Sequence, residues 1–260
     1  MLTVFDMLAH RSPGFADDGL PAALSGVAGQ WSLAFGDDFR DAARFDREWR
    51  RVSNAGDETK TMRLPQNDVL GKEGLALQLA DNPDRGDAKH PFTGGYVEAL
   101  HFRQCYGYFE CEMRIADEAG VDNAFWLVSD PKTQDEHHFE LDVAEAKYPN
   151  AVQASARLWR PAHRVLSRTL HAPEKLSLDF HRYGLLWSPG DFRFFFDDRA
   201  FFSAPNDFAH TPALIRLSNA VAAFAGEDDG DVRGAATLFR RVRVFQNSDW
   251  LKAPAAQKGA

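Results

Sequence analysis

Hydrophobic residues alternate with polar ones along much of the chain, in many short segments that are separated by turn residues. Leucine recurs at every second position in residues 74–80, and phenylalanine does so in residues 192–196. In residues 106–115, apolar side chains would share one face of a strand while tyrosine and charged side chains share the other. Residues 238–245 form a last β-rich run. This period of two predicts an all-β domain whose strands are each buried on one side.

The strand-like pattern predicts one domain over residues 31–247, with no internal repeat and no second core. Residues 1–30 break short apolar segments with glycine and proline, so we expect an arm that lies on the domain. Residues 248–260 are expected to form a tail.

Composition and charge narrow the classes of partner. The chain has 260 residues, of which 44% are hydrophobic and 12% aromatic, which is enough for one sizeable core. Its formal charge of -8 gives no general attraction to nucleic acids or to anionic membranes, so neither is expected as a partner. No signal peptide or long apolar run is visible, which predicts a cytoplasmic protein as written, with export by another route left open.

The segment HFELDVAEA carries three carboxylates within six residues of an otherwise strand-like stretch. In a regular strand, Glu140 and Asp142 point to one face and Glu145 points to the other. A one-residue bulge at Val143 or Ala144 would bring all three carboxylates to the same face. The alternative is an ordinary solvated strand face, on which acidic residues are common.

If the bulge is present, two glutamates can flank a glycosidic bond at the roughly 5 to 5.5 Å separation that retaining hydrolysis uses. One carboxylate attacks the anomeric carbon, and the other protonates the leaving oxygen. Asp142 between them would share a proton with its neighbours, raise the pKa of the acid, and orient Glu140 through a hydrogen bond.

The pattern Glu140-x-Asp142-x-x-Glu145 resembles the catalytic signature of glycoside hydrolase family 16, in its subgroup with a bulged catalytic strand. Further segments similar to the family follow in order along the chain: residues 33–39 (LAFGDDF), 94–115 (GGYVEALHFRQCYGYFECEMRI), 124–127 (AFWL), 180–187 (FHRYGLLW) and 242–245 (VRVF). The resemblance implies a β-jelly-roll sandwich of two curved antiparallel sheets with a concave substrate cleft. It also implies that Glu140 is the nucleophile, Asp142 its helper and Glu145 the acid/base.

The function expected from this resemblance is endo-acting, retaining hydrolysis of a β-linked polysaccharide or oligosaccharide, with no cofactor. One alternative is a transglycosylase that acts on an exopolysaccharide. Another is a lectin-like carbohydrate-binding domain without catalysis. The sequence does not indicate an oligomeric state.

Three positions depart from the family pattern. Asp122-Asn123 occupies the place of a Trp-Pro pair found in many laminarin-active members, which weakens the expectation of a β-1,3-glucan substrate. A histidine common on the strand after the catalytic one is replaced here by Gln153 or Arg157. Arg240 stands where some members have an aspartate that holds structural calcium, so we expect no calcium at that site and predict no other metal site.

Five residues are candidates for substrate binding. Trp126 either stacks on the sugar or belongs to the core, and Trp159 is either a platform at the rim or ordinary packing. Asn123 and Tyr106 are expected to face the substrate, Tyr106 by helping to line the concave sheet. Arg157 belongs to a basic cluster that favours an anionic polysaccharide if it lines the cleft, and that is otherwise a solvated loop.

Overall fold

The computed structural model describes residues 19–56, 58–133, 135–228 and 231–250. Its strands are β1 (Trp31–Asp37), β2 (Trp49–Arg51), β3 (Asn54–Ala55), β4 (Thr61–Arg63), β5 (Asp68–Gly71), β6 (Gly74–Gln78), β7 (Ala80–Asp81), β8 (Phe92–Gly94), β9 (Tyr96–Ala99), β10 (Gly107–Arg114), β11 (Val121–Ser129), β12 (His138–Lys147), β13 (Ala151–Arg160), β14 (Arg164–His171), β15 (His181–Trp187), β16 (Asp191–Phe196), β17 (Arg199–Pro205), β18 (Ala213–Val221) and β19 (Ala236–Asn247). An α-helix, α1, spans Ala42–Glu48, and short 3-10 helices span Ala22–Leu24, Pro65–Asn67 and Ala223–Ala225.

Two large antiparallel sheets make up most of the structure. The back sheet has the strand order β17-β16-β15-β10-β19-β6-β5, with β1 also paired to β19. The front sheet has the order β14-β13-β12-β11-β18-β9-β2. A small sheet, β3-β4-β8-β7, contains a parallel pair between β4 and β8. The predicted all-β jelly-roll sandwich of two antiparallel sheets is confirmed.

The main core lies between the two sheets and follows the predicted alternation. Phe109 and Met113 of β10 are fully buried from the back sheet, and Phe125 and Leu127 of β11 are fully buried from the front sheet. Because alternate residues point to opposite faces, the residues between them on each strand lie on the outer surfaces of the sandwich. Within the described ranges, no helix is long and apolar enough to cross a membrane.

The outer surface of the back sheet is covered by the chain that precedes β1. Leu24 packs there against Tyr108 in a second hydrophobic cluster. Trp31 and Trp250 close this cluster in an edge-to-face contact with a centroid distance of 5.2 Å. Of the predicted arm and tail, residues 1–18 and 251–260 lie outside the described residues, so those parts of the prediction remain untested.

A buried ion pair lies in the back sheet next to this cluster. Both nitrogens Nε and Nη2 of Arg243 donate to Oε1 of Glu110, at 3.0 and 2.6 Å. The two side chains are only 5% and 1% exposed. Removal of one partner would therefore leave the other charge buried without compensation.

We expect Arg243→Leu to lower the free energy of unfolding by about 3 to 5 kcal/mol, because Glu110 then stays buried and unpaired. The double variant Glu110→Leu/Arg243→Leu should recover most of this loss. Denaturant unfolding measures both values. Arg193→Leu, which breaks an exposed ion pair with Asp191, is the control and should change stability by at most about 1 kcal/mol. A loss below that level in Arg243→Leu contradicts the expectation.

Candidate active site

Strand β12 contains an extra residue in the middle of its pairing. Ala144 pairs with Phe125 of β11, but Asp142 pairs with the next residue, Trp126, which leaves Val143 without a partner. The pairing of β12 with β13 is shifted at the same place. The bulge predicted at this position is therefore confirmed.

The bulge decides which side chains face outward. Val143 and Ala144 are consecutive, yet both are fully buried in the core between the sheets. Two consecutive core residues restore the alternation in the opposite phase, so Glu145 emerges on the same face as Glu140 and Asp142. All three carboxylates line one cleft on the outer face of the front sheet, with a volume of about 530 Å³.

Burial and mutual repulsion control the protonation of these carboxylates. Burial raises the pKa of Glu140, Asp142 and Glu145, and the negative charge of Asp142 raises the pKa of both glutamates further. The Ser155 hydroxyl donates a hydrogen bond to Oδ2 of Asp142, which pulls the pKa of that carboxyl back down. Closely packed buried carboxylates do not all ionise together. The cluster therefore retains a proton at pH values well above those at which isolated Asp and Glu side chains ionise.

Arg157 makes the two glutamates unequal. Its Nε lies 3.4 Å from Oε1 of Glu140, and its Nη2 lies 3.5 Å from Oδ2 of Asp142. Glu145 has no ion pair with any residue that the structure describes. A nearby cation favours the charged form of a carboxyl, but burial and the charge of Asp142 outweigh it, so the pKa of Glu140 is about 8 and that of Glu145 about 7.

This asymmetry predicts the effect of Arg157→Gln. Loss of the cation raises the pKa of Glu140. The pH at which activity is lost on acidification should therefore rise by about one unit. The rate kcat/KM measured between pH 4 and pH 9 tests this shift. Arg160→Gln, an exposed change on the same strand, is the control and should leave the profile in place. A higher KM with an unmoved acid limb would contradict the ionisation role.

Trp126 and Trp159, two of the predicted substrate contacts, line the cleft together with Arg157. Trp126 is half-buried beside the carboxylates, and its indole nitrogen donates to Oγ of Ser218 at 3.1 Å. Trp159 is 38% exposed, and one of its faces is stacked on His163 at 5.0 Å between ring centroids. The guanidinium of Arg216 lies 4.7 Å from the ring centroid of Trp126, and that of Arg157 lies 5.1 Å from the ring centroid of Trp159. Contact of either ring with a sugar stays a prediction.

Asn123 does not lie in the cleft. Its side chain is fully buried on the core side of β11, where its Oδ1 accepts from the backbone N–H of Ala116 at 2.9 Å and from Oγ1 of Thr237 at 2.6 Å. Its amide donates to the carbonyl oxygen of Ala146 at 2.9 Å. The assignment of Asn123 to substrate binding is therefore corrected, because the residue ties strands together inside the core.

Tyr106 is also placed away from the cleft. It has a left-handed φ of 62° immediately before β10, which belongs to the back sheet. Its hydroxyl lies 2.8 Å from Nδ1 of His210, and its ring packs edge-on against Trp187. The expectation that Tyr106 lines the concave sheet is corrected accordingly.

The cleft also contains side chains that the sequence interpretation missed. Asp122 and Lys147 come from β11 and β12, whereas Glu58, Arg63 and Phe224 come from more distant parts of the chain. The first two share strand faces with Trp126 and Glu145, so their positions follow from the period of two. The other three are brought in by tertiary structure and have no comparable signal.

Arg240 stands at the position for which the family resemblance implied a calcium-holding aspartate. Its Nη1 lies 3.8 Å from Oε2 of Glu112, and its guanidinium lies 3.7 Å from the ring centroid of Phe180. Among the described residues, no group of three or more His, Cys, Asp or Glu side chains is arranged to hold a metal ion. The expected absence of calcium stays a prediction.

The sequence and the fold are both similar to those of known proteins. Residues 46–237 match the sequence profile of the family described as Glycosyl hydrolases family 16. The chain belongs to this family. The family 16 assignment agrees with the fold, since the catalytic domain of an endo-1,3-beta-glucanase (laminarinase) from Thermotoga petrophila is similar, with a TM-score of 0.73 and 16% identity over 85% of this chain and 100% of that one.

Curated relatives of this family 16 chain act on several polysaccharides, according to their names. The chain is 33% identical to the endo-1,3-1,4-beta-glycanase EglC of Rhizobium meliloti over 62% of its own length, and this match spans only 35% of that protein. It is 24% identical to beta-porphyranase B of Zobellia galactanivorans, over 65% of this chain and 66% of that protein. The family thus indicates glycoside hydrolysis of a polysaccharide, while the relatives differ in their substrates.

Proposed function

We propose that this protein is an endo-acting retaining hydrolase that cuts a β-linked polysaccharide by double displacement. The observation that carries the proposal is the bulge in β12, which brings Glu140 and Glu145 to one face of the strand, with Arg157 ion-paired to the first. The raised pKa values let the cluster hold a proton near neutral pH, and the family resemblance assigns the charged form to Glu140 and the proton to Glu145, as retaining hydrolysis requires.

In the first step, a carboxylate oxygen of Glu140 forms a bond to the anomeric carbon while the bond from that carbon to the leaving oxygen breaks. Glu145 gives its proton to the leaving oxygen, so the departing sugar leaves as a neutral alcohol. In the second step, Glu145 removes a proton from water as the water oxygen attacks the same carbon. The bond from that carbon to Glu140 breaks as the new bond forms, and both carboxyls return to their starting states.

Asp142 positions the nucleophile in this scheme. Its carboxyl lies on the same strand face, two residues from Glu140, and is held by the Ser155 hydroxyl and the guanidinium of Arg157. A carboxyl fixed in this way limits the rotation of the Glu140 side chain toward other rotamers. Fixed geometry around the reacting group is a main source of rate acceleration.

The shape of the cleft supports cleavage inside a polymer. Trp159 lies on β13 of the front sheet and Phe224 on the 3-10 helix after β18, and both line the cleft, with 38% and 50% of their surfaces exposed. A chain that contacts both aromatic rings would extend to either side of the carboxylates. The name of the Rhizobium relative makes mixed-linkage β-1,3-1,4-glucan the first substrate to test.

The test is a panel of mixed-linkage β-1,3-1,4-glucan, laminarin, agar-type and carrageenan-type galactans, and bacterial exopolysaccharides. We expect new reducing ends on at least one of them, with oligosaccharides of several lengths at the earliest times. Release of only the terminal sugar unit would contradict endo action. Early products longer than an oligosaccharide substrate would indicate transfer, and binding without any product would indicate a lectin-like domain.

A further inference from the structure

Asp122 is one of two carboxyls in the cleft, the other being Glu58, that the proposed mechanism does not use. It lies near the start of β11, between Lys147 of β12 and Ala220 of β18. Its side chain lines the cleft, although the residue is only 8% exposed. Its Oδ1 is buried and accepts no hydrogen bond from any residue that the structure describes.

An unpartnered oxygen of this kind requires an explanation, because a buried polar group without a hydrogen bond is costly. Lys147, which pairs with Asp122 across the two strands, does not provide the missing partner: its Nζ donates to Oε1 of Gln153 at 3.1 Å, and Oδ1 of Asp122 accepts no hydrogen bond from it. Oδ1 itself is shielded from solvent, but the residue lines the cleft and is 8% exposed, so rotation of the carboxyl would turn this oxygen toward a bound ligand that can supply the hydrogen bond.

The position of Asp122 along the strands indicates which part of a ligand it meets. Glu145 pairs with Ala124, and Lys147 pairs with Asp122, so Asp122 lies beyond Glu145 on the side away from Glu140. In a double displacement, the sugar that becomes bound to the enzyme contacts the nucleophile, and the departing sugar oxygen contacts the acid. Asp122 is therefore on the side of the departing sugar.

Small side chains leave room for a sugar at this end of the cleft. Ala124, Ser218 and Ala220 form its floor on β11 and β18. Phe224 stands beside them, half exposed, with Nζ of Lys147 at 5.0 Å from its ring centroid. A pyranose ring has an apolar face and a rim of hydroxyls, which match an aromatic ring and a carboxyl placed next to each other.

We propose that Asp122 and Phe224 form the subsite for the departing sugar, in which Asp122 binds a hydroxyl of that sugar and so determines which leaving group is accepted. This inference rests on the proposed function, because it takes its direction from the roles of Glu140 and Glu145. Asp122 acts here as a specificity-determining residue that contacts substrate.

The protonation state of Asp122 suits this role. Burial, followed by the negative charge of Glu145, raises its pKa well above the ordinary value. A protonated carboxyl donates through its O–H and accepts through its carbonyl oxygen. A sugar hydroxyl also both donates and accepts, so the two groups can satisfy each other.

The test compares two substrates with the same kind of sugar and linkage on the nucleophile side of the cleaved bond but with different leaving groups. One is mixed-linkage β-1,3-1,4-glucan, and the other is a phenyl β-glycoside of an oligosaccharide from the same glucan, whose phenol has no sugar hydroxyl. We expect Asp122→Ala to lower kcat/KM on the glucan at least about tenfold more than on the phenyl glycoside, as expected for the loss of one buried hydrogen bond. Asp122→Asn, which still donates and accepts, should recover part of the difference.

Asp68→Asn is the matched control. Asp68 is also buried, its Oδ2 also has no hydrogen-bond partner among the described residues, and burial raises its pKa, but it does not line the cleft. The ratio of the two rates should stay at the wild-type value in this variant, whatever its stability.

Two results would overturn the inference. One is an equal fall on both substrates in Asp122→Ala. The other is a shift of the alkaline limb of the pH profile on both substrates, which would make Asp122 a modulator of Glu145 instead of a sugar contact. Failure of the proposed function would give results different from these two. Wild type would then cleave neither substrate, or Glu140→Gln would cleave both at the wild-type rate.

Discussion

The Glu140→Gln variant is expected to lose at least about four orders of magnitude in kcat/KM on the polysaccharide that wild type cleaves, in line with the loss of a catalytic nucleophile. The change keeps the size of the side chain but replaces a negative oxygen by a neutral amide that does not attack the anomeric carbon. The assay measures reducing ends over time. Unfolding of the variant in denaturant should stay close to wild type, because burial and the charge of Asp142 disfavour the charged form of Glu140 and so offset the loss of its ion pair with Arg157.

Glu136→Gln is the matched control for Glu140→Gln. It is the same chemical change four residues earlier, at an exposed position outside the cleft. We expect wild-type rates from it. A Glu140→Gln variant that retains a tenth or more of wild-type activity would contradict the assignment of this residue as nucleophile.

The second large effect is expected for Glu145→Ala, and it should depend on the leaving group. Hydrolysis of the polysaccharide should fall by about two to four orders of magnitude, the typical contribution of a general acid or base. On a dinitrophenyl glycoside, whose leaving group needs no proton, the first step should persist and the covalent intermediate should accumulate. Added azide attacks without a general base, so it should restore turnover and give a glycosyl azide.

A pre-steady-state burst of dinitrophenol measures the persistence of the first step, and product analysis measures the azide adduct. Glu140→Gln is the internal comparison, because it removes the first step and should show no burst. Equal losses on both substrates together with no response to azide in Glu145→Ala would contradict the role of this residue as acid/base.

The bulge in β12 shows how far local sequence information reaches. Three carboxylates at positions 140, 142 and 145 cannot share a face of a regular strand, so a shared site needs one extra residue, and the family resemblance favoured this interpretation over an ordinary strand face. The structure places it at Val143, within the predicted pair of positions. This position could be predicted because it depends only on the local period of the chain.

The same period would have excluded Asn123 from the cleft. Asp122, Ala124 and Trp126 are two residues apart and share the outer face of β11, so Asn123 must point into the core. Its place in the family pattern suggested a substrate contact, but its odd or even position along the strand predicts which face it is on. That argument also brings Asp122 into the site.

Tyr106 and Phe224 show what local patterns do not contain. The alternation in β10 predicts one buried and one exposed face, but not that β10 belongs to the back sheet, which is determined by its pairing with β15 and β19. Phe224 reaches the cleft from a short 3-10 helix after β18. Both placements depend on contacts between segments far apart in sequence.

The measurement that tests the central claim most directly is the configuration of the newly formed reducing end, followed by proton NMR during the first minutes of hydrolysis. Two successive displacements at the same carbon, through Glu140 and then water, retain the configuration of the β-linkage. The account predicts that the β-anomer appears first and that the α-anomer follows by mutarotation. Initial formation of the α-anomer would contradict it.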